Sequence, residues 1–149
     1  MVARLAQEKA QAAVTDLGRD PEPAIVIGAD TTVLLDDDVL GKPGTPAAAA
    51  EMLRRLNGRM HRVLTGVALI RVPDGLTKSI VEETSVLFAT MSQQEIDDYV
   101  ATGEPLDKAG AYGIQELGGK FVTSIEGDYF NVVGLPIARV CQLLKELKG

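Results

Sequence analysis

Asp30 and Lys42 are the first residues of this chain whose types and spacing suggest chemistry. The segment "AIVIG", residues 24–28, reads as a short buried strand; Asp30 follows at once, and Lys42 stands twelve residues further on in Gly-Lys-Pro. A carboxylate at the end of a core strand can take a proton from an attacking water or hold a divalent metal. Strand ends are also where α/β proteins build their sites. The competing role for Asp30 is to cap the turn that follows. Lys42, set between Gly41 and Pro43, offers a compact charge suited to phosphate oxygens, although Gly-Lys-Pro taken alone reads as a solvated loop. The Gly-x-x-x-x-Gly-Lys-Ser/Thr spacing of a P-loop is absent.

A second group lies in "LDKAGAYGIQ", where Asp107, Lys108 and Gln115 stand among small residues. The Gln115 amide both donates and accepts, which is the chemistry needed to read the edge of a nucleobase; in isolation it is a surface glutamine. Lys9, beside Glu8, reads as half of a surface ion pair. His61 reads as a structural hydrogen-bonding residue, and Cys141, near Leu144, as part of the core.

These residues need elements to position them. Residues 1–17 predict a helix stopped by Gly18. "AIVIG" and "TTVLL" predict two β pieces, and Thr45-Pro46 opens a helix closed by Gly58. "RVLTGVALIRV" and "KSIVEETSVLFA" flank Pro73-Asp74-Gly75 and predict an antiparallel pair. Ser92 and Glu95 form a capping box for the next helix. The glycine-rich segment 104–121 predicts an irregular functional loop, "FVTSI" and "YFNVV" two short strands, and "IARVCQLLKEL" a last helix. The pattern is that of one α/β domain over residues 1–149, with a mixed sheet flanked by helices.

Composition narrows the function. Of 149 residues, 46% are hydrophobic, which suits a sizeable globular core. The net charge of −6, with no basic cluster longer than a pair, argues against polymeric nucleic acid as a partner. No apolar run approaches the roughly 20 residues that span a bilayer, so no membrane partner is expected. One histidine excludes a metal site built on several, so any metal would be held by carboxylates and water, which favours Mg²⁺ or Mn²⁺. The single cysteine fits a reducing cytoplasm.

Taken together, "RLAQEKA", "VIGADTTV", "LGKP", "AAEMLRRLNGRMHRVLTGVAL", "EIDDYVATGEPLDKAGAYGIQELGGKFV" and "IEGDYFNVVGLP" resemble the Maf family of nucleoside triphosphate pyrophosphatases. The resemblance implies hydrolysis of a nucleoside triphosphate to its monophosphate and pyrophosphate with a divalent cation. It implies an α/β fold, similar to that of inosine triphosphatase, whose sheet is split by a long cleft, often in homodimers. The "GAYGIQ" form is similar to the branch acting on dTTP and UTP; the branch acting on 7-methyl-GTP usually carries glutamate where Gln115 stands. Carried over by position, Asp30 corresponds to the proton acceptor that activates water, Thr31 and Gln115 to specificity positions, and Lys9 and Lys42 to lysines facing the phosphates. Family members usually open with a strand and a Ser-x-Ser-Pro-Arg-Arg loop, and here Met1 falls almost directly before "RLAQEKA". The expectation is therefore an N-terminally incomplete chain that lacks the usual first strand: either its start site is placed too late, or it is a natural truncation with weakened or lost catalysis. The rival is a nucleotide-binding or division-regulating protein without turnover. An aspartyl phosphatase of the haloacid-dehalogenase type is a third reading, and "GADTTV" lacks the second aspartate it needs.

Overall fold

The computed structural model describes residues 1–148. Helix α1 (Val2–Asp16) is followed by strands β1 (Ala24–Leu35) and β2 (Asp38–Leu40), helix α2 (Pro46–Leu56), strands β3 (Met60–Val72) and β4 (Thr77–Phe88), and helix α3 (Gln93–Ala101). Three 3₁₀ turns, Glu104–Asp107, Ala109–Ala111 and Leu117–Phe121, lead into β5 (Val122–Glu126), α4 (Tyr129–Val133) and α5 (Ile137–Lys148). The α/β class with flanking helices is borne out. The five strands lie in the order β2-β1-β3-β4-β5, and each pairing is antiparallel, so the parallel pairs that a mixed sheet contains are not found among the described strands.

The middle of the sheet is buried on both faces, which explains the unbroken apolar run of β3. Ala68, Ile70 and Val72 pack with Val26 of β1 against Ala6 and Ala10 of α1. The alternate residues Val67 and Leu69 pack with Ile25 and Ala29 against Val140, Leu143 and Leu147 of α5. A third cluster at the other end of the strands joins Val33, Leu35, Val63 and Phe88 to α2 and α3. Several local signals are realised as written. Thr45 accepts from the Ala48 amide at 3.2 Å, and Ser92 and Glu95 exchange both capping-box bonds. The hairpin at residues 73–75 sets β3 against β4 with Ile70 opposite Thr77.

Three expectations are corrected. "AIVIG" and "TTVLL" form one 12-residue strand; because its ladder with β3 runs unbroken from Ala24 to Leu34, Asp30 lies in mid-strand and not at a strand end. "YFNVV" is helix α4: Asp128 caps it by accepting from the Phe130 amide at 2.8 Å, and Gly134 ends it at φ +134°, so the two caps override the β-leaning composition. Cys141 is exposed, because α5 turns its Val140–Leu143–Leu147 stripe to the sheet and residue 141 falls beside that stripe.

Candidate active site

β1 has a partner along its whole length on one side only. β3 pairs it over residues 24–34, whereas β2 reaches only Val33, Leu34 and Leu35. Beside the open stretch lies a cleft of about 450 Å³. Lys9, Asp30, Thr31, Lys42 and Gln115 all line it, so the five residues singled out in the sequence, drawn from four separate segments, meet in one place.

Glycine brings Lys9 to Asp30. Gly28 and Gly66 face α1, and a Cβ on Gly28 would overlap the Ala6 carbonyl oxygen and stand 2.5 Å from the Ala10 nitrogen. A Cβ on Gly66, which pairs directly with Asp30, would stand 2.7 Å from the Ala3 nitrogen. The helix backbone therefore lies against the sheet, and the Lys9 ammonium donates to Asp30 Oδ1 at 2.8 Å and to the Ala29 carbonyl at 3.2 Å. Glu8 pairs with Arg4 instead, at 3.8 Å. The Asp30 side chain keeps 19% of its surface exposed, enough for water or a substrate to reach it.

Lys42 reaches the cleft because its loop is stitched to the far wall. The Gly110 amide donates to the Gly41 carbonyl at 3.2 Å, and the Gly44 amide to the Leu106 carbonyl at 3.0 Å. Lys108 is a third cation lining the cleft. Its ammonium lies 3.1 Å from Glu116 and 3.8 Å from Asp107, and the hydrogen bond to Glu116 holds its pKa above the usual lysine value. Three lysines thus face two carboxylates, Asp30 and Glu116, in the cleft of a chain whose net charge is −6. The local excess of positive charge suits a polyanion.

Glu104 fixes the wall that carries Gln115. It accepts from the Leu117 amide at 3.1 Å, from the Gly118 amide at 3.0 Å and from the Tyr99 hydroxyl. The same hydroxyl accepts from the Gly113 amide at 3.2 Å, so both ends of the Gly113–Gly118 loop are tied to one pair of side chains. Burial pushes the Glu104 carboxyl up, yet the hydrogen bonds from Tyr99, Gly118 and Leu117 together hold it below the ordinary value. Burial also raises the Tyr99 hydroxyl, with Glu104 adding to the shift, so Tyr99 is a neutral donor.

Behind the cleft, His61 Nε2 and the Tyr112 hydroxyl lie 2.7 Å apart. His61 is 1% exposed, and burial lowers its pKa to about 4. It is the structural hydrogen-bonding residue that the sequence suggests, and it braces the ring of Tyr112, which lines the cleft. Asn131, fully buried, ties α4 to the sheet through its amide, with the Val63 and Glu82 carbonyls at 3.2 and 3.1 Å and Thr84 Oγ1 at 3.0 Å. Val133 and Gly134 at the end of α4 complete the lining. Sequence reasoning misses Glu104, Tyr99, Tyr112 and Asn131 as supports. The partners of Tyr112 and Asn131 lie far off in the chain, 51 residues for His61 and Tyr112. Tyr99 and Glu104 are only five residues apart, but they meet across the end of α3, where no helical or strand periodicity marks the pair.

Comparisons with known proteins bear on the family. A family model described as Maf-like protein matches residues 1–147. A protein of Symbiobacterium thermophilum named dTTP/UTP pyrophosphatase is 53% identical over 146 residues, which cover 98% of this chain and 72% of that protein. Proteins of the same name from Salmonella typhimurium and Clostridioides difficile are 54% and 47% identical over 148 residues, covering 99% and 98% of this chain and 73% of each of them. A matched sequence over almost its whole length, and a cleft that gathers residues from all six of the segments carrying the resemblance, make this chain a member of the Maf family.

Proposed function

We propose that residues 1–149 act as one catalytic unit that hydrolyses dTTP and UTP to the nucleoside monophosphate and pyrophosphate. The observation that carries this reading is the shared cleft, which a mid-strand carboxylate, three lysines and an amide side chain line together. The names of the relatives add support for the substrate. Asp30 accepts a proton from a water attacking the α-phosphorus; the bond from that phosphorus to the bridging oxygen breaks, and pyrophosphate leaves with the electron pair. Lys9 holds the Asp30 carboxylate in orientation. Lys42 and Lys108 stabilise the charge that gathers on the departing pyrophosphate, so positioning and electrostatics carry most of the rate. Thr31 and Gln115 read the base.

The residues present fit a divalent cation, Mg²⁺ or Mn²⁺, that enters with the triphosphate. No group of three His, Cys, Asp or Glu side chains able to form a protein cage exists among the described residues, and Mg²⁺ is ordinarily bound by one or two carboxylates plus phosphate oxygens and water. The cation would be held mainly by phosphate oxygens and water, with Glu116 as the cleft carboxylate this chain could supply while Asp30 takes the proton, and it would neutralise phosphate charge. Among the described residues, no helix is long and apolar enough to cross a membrane. A cytoplasmic homodimer is part of the proposal, and light scattering tests the dimer.

The experiment is turnover of dTTP and UTP in ¹⁸O-water with Mg²⁺ or Mn²⁺. The expected products are the monophosphate, carrying the label, and unlabelled pyrophosphate. Release of orthophosphate or label in the pyrophosphate would refute attack at the α-phosphorus, and nucleotide binding without turnover would refute catalysis and favour the non-catalytic reading.

A further inference from the structure

Thr31 Oγ1 lies 2.9 Å from Thr65 Oγ1, and Thr65 Oγ1 in turn lies 3.1 Å from the Asn131 carbonyl. Each hydroxyl has one proton to give. Thr65 is fully buried, and its geometry allows it to donate to Asn131. If it does so, the bond between the two threonines can be made only with Thr31 as donor, and both bonds exist. If Thr65 instead donates to Thr31, the bond to Asn131 is lost and the buried lone pairs of Thr65 receive nothing. The first arrangement makes one more buried hydrogen bond and so prevails. Thr31 then has no proton left for the cleft.

The Thr31 hydroxyl stands next to Gly134, whose absent Cβ would lie 3.9 Å from Oγ1, and both residues line the cleft. We propose that Thr65 is a specificity-positioning residue: by taking the proton of Thr31, it makes that hydroxyl an acceptor only, and the cleft thereby selects a base that offers a ring N–H over one that offers a ring lone pair. The inference rests on the pyrimidine triphosphate reading given above. Uracil and thymine carry an N–H at ring position 3, whereas cytosine carries a lone pair there. Cytosine must either face Thr31 lone pair to lone pair or force the Thr65–Asn131 bond to break, and the site resists both because its buried groups would go unpaired.

The test compares UTP with CTP on the native chain and on Thr65→Val and Thr65→Ser. Valine keeps the shape and removes the acceptor, freeing the Thr31 proton; the Asn131 carbonyl retains the Gly134 amide at 3.1 Å. The UTP:CTP ratio of kcat/KM should fall roughly 10-fold in Thr65→Val, the equivalent of one hydrogen bond, and return in Thr65→Ser. A generally weakened fold would slow both substrates and leave the ratio alone. An unchanged ratio in a folded Thr65→Val that still turns over UTP overturns this inference and spares the pyrophosphatase reading. Should Thr65→Val fail to fold, calorimetry on the native chain decides, with α,β-methylene analogues of UTP, N3-methyl-UTP and CTP: UTP alone should bind well, and equal affinities overturn the inference. Failure of the native chain to bind or turn over any of them overturns the pyrophosphatase reading as well.

Discussion

Acidification should weaken this protein through one identifiable side chain. His61 is buried and neutral, its pKa lowered by burial to about 4, while an unfolded chain protonates its histidines near pH 6.5. Between those values the unfolded state binds a proton that the folded state does not, so stability is fully present above about pH 6.5, falls as the pH drops through the window, and levels off below about pH 4. The whole gap corresponds to about 3 kcal/mol. Most carboxylates titrate lower, so the cleanest interval runs from about pH 7.5 to about pH 5, where His61 alone should remove about 2 kcal/mol. Two measurements check this. There is only one histidine, so its ring signal in a ¹H–¹³C NMR titration needs no assignment and should move near pH 4. Urea unfolding at the two pH values should show the loss in the native chain, and in His61→Phe the same step should remove less than about 0.5 kcal/mol, although that variant starts weaker for want of the Tyr112 bond. A ring that titrates near pH 6.5, or equal pH dependence in the two proteins, would refute the assignment of His61 as a buried neutral brace.

Asp30→Asn should lower turnover of dTTP and UTP by a factor on the order of 10²–10⁴ with an unchanged circular dichroism spectrum; loss of folding with turnover kept per folded molecule would make the residue structural. Gly28→Ala drives a methyl group into the α1 backbone and should cost about 1–3 kcal/mol in urea unfolding. It should also reduce kcat/KM by drawing Lys9 off Asp30, a loss that Lys9→Met should reproduce without the loss of stability. Glu104→Ala strands the amides of Leu117 and Gly118 and should cost about 1–3 kcal/mol, with a raised KM because the Gln115 loop is released. Gln115→Glu replaces a donor-acceptor amide with a group that only accepts, and turnover of dTTP and UTP relative to purine triphosphates should fall; unchanged discrimination would mean that Gln115 does not meet the base.

How much of this was legible depends on the range over which each interaction acts. The Thr45 and Ser92 caps and the turn at residues 73–75 are local devices, fully specified by residues a few positions apart, and each is found as written. The same local grammar misread "YFNVV", because the five residues favour a strand while the decisive groups, Asp128 and Gly134, flank them. Pairs such as Lys9 with Asp30, 21 residues apart, or His61 with Tyr112 carry no local signature. Lys9 read locally as half of a surface ion pair, and only the resemblance to a family gave it a place in the site; Glu104, Tyr112 and Asn131 carried no such sign.

The correction to Asp30 strengthens the chemistry it was chosen for. A strand end frays and lends its side chain the motion of the loop beyond, whereas Asp30 sits inside a ladder that continues for six residues before it and four after, opposite Gly66. Its Cα is therefore fixed by the sheet, its carboxylate by Lys9, and the reorganisation needed at the moment of proton transfer is small. Access, which a buried mid-strand residue normally lacks, comes from the other edge of β1, where β2 stops at Val33. A fixed carboxylate needs the paired edge and a reachable one needs the open edge, and β1 supplies both at residue 30.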